Sequence, residues 1–155
     1  MKIVKSEYAL EAATWKTHGQ DLYRIRWLVF VKEQGVPEEL EQDQFDAVCW
    51  HVLARDSAGQ PIATGRLRQD GRLGRLAVLK PWRGRGVGKA MVMWLLALAR
   101  QKGFDTVHLH AQTQASDFYE RLGFRITGQP FLEAGMLHCK MLLRLHGSAS
   151  MPNSR

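Results

Sequence analysis

Leu73-Gly74-Arg75-Leu76-Ala77-Val78-Leu79-Lys80-Pro81-Trp82-Arg83-Gly84-Arg85-Gly86-Val87-Gly88-Lys89 is the stretch on which the fold reading turns. Residues 73–79 are apolar enough for a strand and run directly into a glycine-rich turn. From Gly86 to Lys102 the spacing becomes helical: Val87, Met91, Leu95 and Leu98 share a face, and Gly103 suits the C-terminal cap. Gly84, Gly86 and Gly88 alternate, so the backbone can turn tightly and a ligand can approach with no Cβ in the way. The first amides of a helix lack intrahelical acceptors and sit at the positive end of its dipole, which suits phosphate oxygens. Arg83, Arg85 and Lys89 add positive charge around that turn.

Working outward, a strand is predicted over Lys2 to Lys5 and a helix over Asp21 to Lys32, with Leu22, Ile25, Leu28 and Val29 at helical spacing. Gly35-Val36-Pro37 ends that helix. The acidic stretch Glu38 to Asp46 reads either as a solvated loop or as an attractor for a cationic amine. Strands follow over Ala47 to Arg55, Ile62 to Arg68 and Leu73 to Leu79, the last two joined by Asp70-Gly71, a tight-hairpin signal. Arg66, Arg68, Arg72 and Arg75 read as the solvent face of this hairpin, with Arg66 and Arg68 also candidates for an acceptor or cofactor site. Beyond the long helix, a strand over Thr106 to Ala111, a short helix over Ser116 to Leu122, and strands over Phe124 to Thr127 and Met136 to Leu143 complete an α/β (α+β) domain. Its sheet is expected to be mixed and flanked by helices. The expected organisation is a single domain over 1–145 and a disordered tail over 146–155.

The 155 residues carry a net charge of +7, which points to a polyanionic partner such as a phosphorylated cofactor, an anionic surface or nucleic acid. Hydrophobic content of 45% argues against wholesale disorder. No apolar run is long enough to span a bilayer and the first residues lack a signal peptide, so a cytoplasmic protein with no membrane association is expected. Cys49 and Cys139 are expected to be reduced thiols, and no metal ligand set is read. Two nucleotide motifs fail on spacing. A Walker loop needs Gly where Arg83 stands and Ser or Thr where Ala90 stands. A dinucleotide fingerprint needs Gly or Ala at Lys89 or at Met91.

Arg83 to Gly88 resembles the Arg/Gln-x-x-Gly-x-Gly/Ala turn of the GNAT superfamily, the Gcn5-related N-acetyltransferases. Ala115-Ser116-Asp117-Phe118-Tyr119-Glu120-Arg121-Leu122-Gly123-Phe124 is similar to that family's Ala-x-x-x-Tyr-x-x-x-Gly-Phe segment. Residues 29–37, 111–115 and 131–138 resemble the small ElaA-like and YjcF-like members. The resemblance implies the acyl-CoA N-acyltransferase fold and direct transfer of acetyl from acetyl-CoA to a primary amine, of a small molecule or a protein, in a ternary complex. It implies that the cofactor pyrophosphate rests on Arg83, Gly84, Arg85, Gly86, Val87, Gly88 and Lys89, and that the pantetheine arm runs along Leu76, Ala77 and Val78. Gln112, Ser116 and Tyr119 would be further cofactor contacts, Gln112 standing where many relatives carry Asn. Tyr119 would also be the acid that protonates the thiolate. A homodimer is compatible with the resemblance, and no nucleic-acid partner is expected.

The general base is not singled out. Relatives often carry Glu on the strand before the turn, and Leu73 to Val78 holds none. His51, His110, Glu133 and His138 are the candidates, with a water relay as an alternative; His51 reads equally well as a buried structural histidine. Other functions compete. Arg26-Trp27-Leu28-Val29-Phe30 with Glu41 to Asp46 looks like acyl-homoserine-lactone synthases, and a non-catalytic acyl-CoA sensor or a nucleic-acid-binding module also fits the basic charge.

Overall fold

The computed structural model describes residues 2–4 and 7–145. The tail over 146–155, expected to be disordered, lies outside the described residues, as does Lys5 of the first predicted strand. The architecture is mixed α/β, in two compact units, Met1–Leu95 and Leu96–Arg155. Among the described residues no helix is long and apolar enough to cross a membrane.

The first unit is an antiparallel meander of β1 (Lys2–Val4), β2 (Tyr8–Ala13), β3 (Trp50–Asp56), β4 (Pro61–Leu67) and β5 (Arg72–Val78), paired in chain order. The sequence reading assigns no element between Ser6 and Gln20, yet β2 lies here, paired with β3 from Tyr8↔Asp56 to Ala13↔His51. Its residues, Tyr-Ala-Leu-Glu-Ala-Ala, favour helix in isolation; pairing with β1 and β3 overrides that preference.

Helix α1 (Trp15–Arg26) starts earlier than predicted because Thr14 caps it, its Oγ1 accepting from the Thr17 amide at 3.2 Å. It widens into a π-helical segment, Trp27–Glu33, which ends at Gly35, φ +76°. Leu22, Ile25 and Val29 bury one face with Ala13, Leu53 and Ala77, with Trp15, Phe30 and Leu79 at the rim. Helix α2 (Glu38–Glu41) is one turn within the acidic stretch.

The β4–β5 hairpin sits where Asp70-Gly71 signals it, though only Gly71 takes a positive φ, +89°. The two-residue turn with both angles positive is Ala134-Gly135, at +52° and +76°. It joins β7 (Arg125–Glu133) to β8 (Met136–Arg144).

Helix α3 (Val87–Gln101) begins in the first unit and ends in the second. Its buried side is wider than the predicted stripe: Val87, Met91, Val92, Trp94, Leu95, Leu96 and Ala99. Gly103, at φ +87°, terminates it. In the second unit, β6 (Thr106–Gln112) leads to α4 (Ser116–Arg121), and the strand order is β6-β8-β7, all antiparallel. Val107, Leu109, Ala111, Cys139 and Met141 bury one face, and the alternate positions His108, His110, Gln112, His138 and Lys140 make the other.

Glu38 and Glu39 of the acidic stretch are exposed, as a solvated loop would have them, but Glu41, Asp43 and Asp46 are neither solvated nor free to attract a substrate. Arg26, 1% exposed, donates Nε to Glu41 Oε2 at 2.6 Å and Nη1 to Asp46 Oδ1 at 2.8 Å. Arg66, 3% exposed, reaches Asp46 Oδ1 at 2.6 Å and both Asp43 oxygens at 2.7 and 2.8 Å. Arg75 adds bonds to the Glu41 carbonyl at 3.0 Å and to Asp43 Oδ2 at 3.2 Å. Arg68 lies 3.7 Å from the centre of the Phe45 ring. The solvent-face reading is therefore overturned for Arg66 and Arg75, and the Arg66 guanidinium is taken up by Asp43 and Asp46: β4 is buried along its whole length, and its arginine is inside because acids meet it there.

Burial alone would raise the Asp43 and Asp46 carboxyls, but the arginine hydrogen bonds and charges win. Asp43 is held at about 2, and Asp46 also lies below its ordinary value. A carboxyl held low in the fold contributes stability above its unfolded pKa, lost as pH falls through the folded one. His51 is held low by burial, so its contribution too is complete above about pH 6.5 and declines below it. Urea midpoints are expected to be flat above neutrality, to decline below about pH 6.5 and to fall steeply between about pH 4 and 2. Arg26→Met, which strips the buried Glu41 carboxylate of its 2.6 Å guanidinium partner and leaves Asp46 with Arg66 alone, is expected to cost about 3–5 kcal/mol in the same titration.

Candidate functional site

The turn between β5 and α3 has a geometry that admits a ligand. Lys80–Trp82 form a single 3₁₀ turn, after which Gly84 and Gly86 take φ +78° and +82°. A Cβ on either would meet nothing within 4 Å, so these glycines answer to backbone conformation and to whatever approaches from outside. The first helical bond here runs from the Ala90 amide to the Gly86 carbonyl at 3.0 Å; the Val87, Gly88 and Lys89 amides therefore have no intrahelical acceptor. Lys89 and Arg85 are exposed beside them, Arg85 lying 4.6 Å from the centre of the Trp82 ring and 3.8 Å from Glu7 Oε1.

Arg83 behaves differently from the other two cations. Its guanidinium forks onto Glu33, Nη1 and Nη2 donating to the two carboxylate oxygens at 2.6 and 2.7 Å, while Nε donates to the Val78 carbonyl at 2.9 Å. The Arg83 hydrogen bond holds the Glu33 carboxyl below its ordinary value, and Glu33 in return raises Arg83. The side chain thus braces the turn against the end of the π-helical segment.

Upstream, β5 contains a strained residue. Arg66 pairs with Gly74 and Thr64 with Ala77, so Gly65 opposes both Arg75 and Leu76: a bulge. Arg75 takes φ +49°, a region in which a residue with a side chain is disfavoured. A Cβ at Gly65 would stand 3.1 Å from Leu95 Cδ1 and 3.2 Å from Leu76 Cδ1, so the partner strand needs glycine for packing. Arg75 keeps its conformation because its guanidinium is anchored on Glu41, Leu40 and Asp43. The residues it precedes are Leu76, Ala77 and Val78.

In the second unit Tyr119 lies half-buried between Phe118 and Phe124, with ring centroids 4.9 and 5.9 Å away, both edge-on. Burial pushes its phenol to about 12, and its hydroxyl has no hydrogen-bond partner among the described residues. Ser116 starts the same short helix. The Gln112 Oε1 accepts from Gln114 Nε2 at 2.8 Å.

Three of the four candidate bases come together. His110 Nδ1 lies 2.8 Å from Glu133 Oε1, and His138 Nε2 lies 3.9 Å from Glu133 Oε2. Phe131 touches both imidazoles, edge-on to His110 and stacked on His138. His51 is placed with the ionic cluster instead: 2% exposed, its Nε2 bonded to the Asp46 carbonyl at 2.9 Å, its ring against Trp15. Arg26, Glu41, Asp43 and Asp46, which carry the likeness to lactone synthases, are occupied by the internal ion pairs. Sequence reasoning missed Glu33 and the role of Arg75. One signal was present, an arginine at an inward position of an otherwise apolar strand, which calls for acids elsewhere in the chain.

Residues 9–145 match the family model described as an acetyltransferase (GNAT) domain. The N-acetyltransferase YjcF of Bacillus subtilis, itself uncharacterised, is 38% identical over 127 residues, 79% of this chain and 90% of that protein. The crystal structure of an acyl-CoA N-acyltransferase from Pseudomonas aeruginosa superposes with a TM-score of 0.78 at 28% identity, over 86% of this chain and 97% of that one. Escherichia coli ElaA superposes with a TM-score of 0.78 over 87% of this chain and 98% of that one, and at 24% identity this likeness speaks for the fold.

The strain at Arg75 yields an inverted order of substitutions. Arg75→Gly, free to keep a positive φ, is expected to retain the backbone chemical shifts of residues 74–78, and Arg75→Ala, which keeps the strain and loses the anchor, to change them. Melting temperatures should follow the same order, Ala below Gly by several degrees, equivalent to about 1–2 kcal/mol.

Proposed function

The chain belongs to the GNAT acetyltransferase family and is an acyltransferase, and from that premise we propose that it transfers acetyl from acetyl-CoA directly to a primary amine in a ternary complex. The observation that carries this reading is the glycine turn at the start of α3, where bare amides, two open positive-φ glycines and exposed Arg85 and Lys89 coincide. These features fit a diphosphate: donors without acceptors, positive charge, and no side chain in the approach. When bound, acetyl-CoA supplies the activated acyl group as a thioester.

The first unit contributes the holding surface. Leu76, Ala77 and Val78 are proposed to pair with the pantetheine arm as an added strand would, and a strand amide there to polarise the thioester carbonyl. Gly84 to Lys89 hold the pyrophosphate through their amides, with Arg85 and Lys89 as the available cations; the Arg83 contribution is to its backbone and to the brace on Glu33. In the second unit Gln112 and Ser116 are proposed cofactor contacts.

Tyr119 is the proposed proton donor toward sulfur. A phenol at about 12 is a weaker acid than a thiol of ~8.5 by roughly 3.5 units, so outright donation would be uphill by about 5 kcal/mol. Tyr119 therefore works as a hydroxyl that is always protonated near neutrality. It hydrogen-bonds the developing charge and relays a proton, taking one as it gives one. The acceptor amine raises the opposite demand, since a lysine-like ammonium must lose its proton at a cost of roughly 4–5 kcal/mol at pH 7. A base must offset that cost.

Gly86→Val is expected to weaken acetyl-CoA affinity in calorimetry by more than about tenfold, because 1–2 kcal/mol of backbone strain is added to a blocked approach. The fold should survive, since the added atoms meet nothing in the protein. Unchanged affinity would remove the cofactor site. Tyr119→Phe is expected to leave affinity intact while lowering thiol release by about 100-fold; equal turnover would dismiss the relay.

A further inference from the structure

We propose that His110 is the general base of this acetyltransferase, acting through Nε2, with Glu133 as the residue that fixes its tautomer and orientation; the proposal rests on the acetyl-transfer reading above. An ionised carboxylate only accepts, so the 2.8 Å contact between His110 Nδ1 and Glu133 Oε1 places the proton on Nδ1. In the neutral ring Nε2 is then the bare lone pair. A histidine whose far nitrogen is held by a carboxylate is the arrangement that lets an imidazole accept a proton and stabilises the cation that results.

The other candidates separate on the same logic. A carbonyl also only accepts, so His138 carries its proton on Nδ1, donating to the Met136 carbonyl at 2.8 Å, and its bare Nε2 faces Glu133 Oε2 at 3.9 Å, inside the cluster. His138 is 7% exposed, whereas the His110 side chain is 22% exposed. His51 donates Nε2 to the Asp46 carbonyl from a position 2% exposed, with Arg26 and Arg66 nearby to oppose its protonation. Only His110 combines a fixed tautomer, a carboxylate behind the ring and access. The Phe131 ring, its centre 5.0 Å from the imidazole centre and its plane at 78° to it, limits its rotation.

The groups that face His110 are Glu133 from β7, His138 and the cross-strand partner Lys140 from β8, and His108 and Gln112 from its own strand. The ring is thus held by a carboxylate on one side, with an ammonium-bearing side chain opposite it across the strand pair. The protons balance as follows. The acceptor ammonium gives one proton to His110 Nε2. Its freed lone pair forms the N–C bond as the C–S bond breaks, and the electron pair of that bond goes to sulfur. The second proton, shed as the amide forms, passes to sulfur through the Tyr119 hydroxyl, and His110 returns its proton to water.

The tautomer is read directly from the full chain by ¹⁵N-histidine long-range correlation spectra. His110 is expected to show Nδ1 protonated and Nε2 bare in the wild type, and to revert to the Nε2-protonated form of free imidazole in Glu133→Ala. An Nε2-protonated His110 in the wild type overturns the proposal whatever the activity. The second arm follows thiol release from acetyl-CoA with n-butylamine as the probe. His110→Gln is expected to lose about 100-fold in turnover with acetyl-CoA affinity unchanged, and to lose the acid limb of the pH profile. Glu133→Gln, whose carboxamide oxygen still accepts from Nδ1, is expected to keep the wild-type tautomer and to restore most of the turnover lost in Glu133→Ala. A His110→Gln protein with wild-type turnover overturns the base. A wild-type protein that binds acetyl-CoA and releases no thiol overturns the transfer reading and the base together, while one that does not bind acetyl-CoA overturns the cofactor site; the tautomer result stands apart from both.

Discussion

Six buried or half-buried charges, Arg26, Arg66 and Arg75 against Glu41, Asp43 and Asp46, tie together pieces of chain that are far apart in sequence. Arg26 ends α1, Arg66 sits inside β4, Arg75 sits at the bulge of β5, and the acids come from α2 and the loop after it. Charges are costly to bring out of water, and pairing them recovers that cost only when nearly every lone pair and proton finds a partner. Here the guanidiniums supply forked bonds and the count of signs is balanced, so no net charge is buried. Two atoms still stand unpartnered within the cluster among the described residues, Glu41 Oε1 and Arg66 Nε. An apolar core could supply the same stability, but it would tolerate sliding of the loop. Directional bonds between fixed planes do not, and that geometric exactness is what the strained strand next to the cluster requires.

The consequence is felt at β5. Arg75 is held in a left-handed conformation by bonds to residues 40, 41 and 43, and Arg83, eight residues on, is held by Glu33. The stretch between them contains the strand and turn assigned to the cofactor. Both of its ends are thus fastened, through arginine side chains, to the segment between the end of α1 and the start of β3. Arg83, which looks like a ligand for an anion in the sequence, already has an anion of its own. The charge left over for an incoming diphosphate is borne by Arg85 and Lys89 and by backbone amides, which hold their places without side-chain entropy to lose.

This explains which parts of the chain were legible. The turn and α3 were, because glycines at alternate positions followed by helical apolar spacing describe a local geometry, and local geometry is what a linear pattern encodes. The β4–β5 hairpin was legible for the same reason, through Asp70-Gly71. Strand β2 was not, since Ala9 to Ala13 are poor strand formers that become a strand only between two neighbours. The acidic stretch was misread because exposure is the ordinary state of Glu and Asp, and nothing in their own neighbourhood announces Arg26 and Arg66. Strand order β6-β8-β7 belongs to the same class: it depends on pairings that no periodicity carries.

The site divides along the same line. Residue types at Tyr119, His110, Glu133, His138 and His51 were all visible, and all were candidates, because a type fixes what chemistry is available but not which atom is free to perform it. Freedom is decided by neighbours. His51 and His138 each carry a proton donated to a carbonyl and are 2% and 7% exposed, whereas the His110 side chain is 22% exposed. Glu133 and His110 stand on strands that are not neighbours, with β8 between them, so their side chains meet across an intervening strand on the one face that its pleat leaves polar. An imidazole pinned from across a strand cannot turn to offer its other nitrogen without breaking a charged hydrogen bond. The choice of tautomer is therefore a property of the strand register, and a one-residue slip of β7 against β8 would turn Glu133 to the opposite face and free the ring.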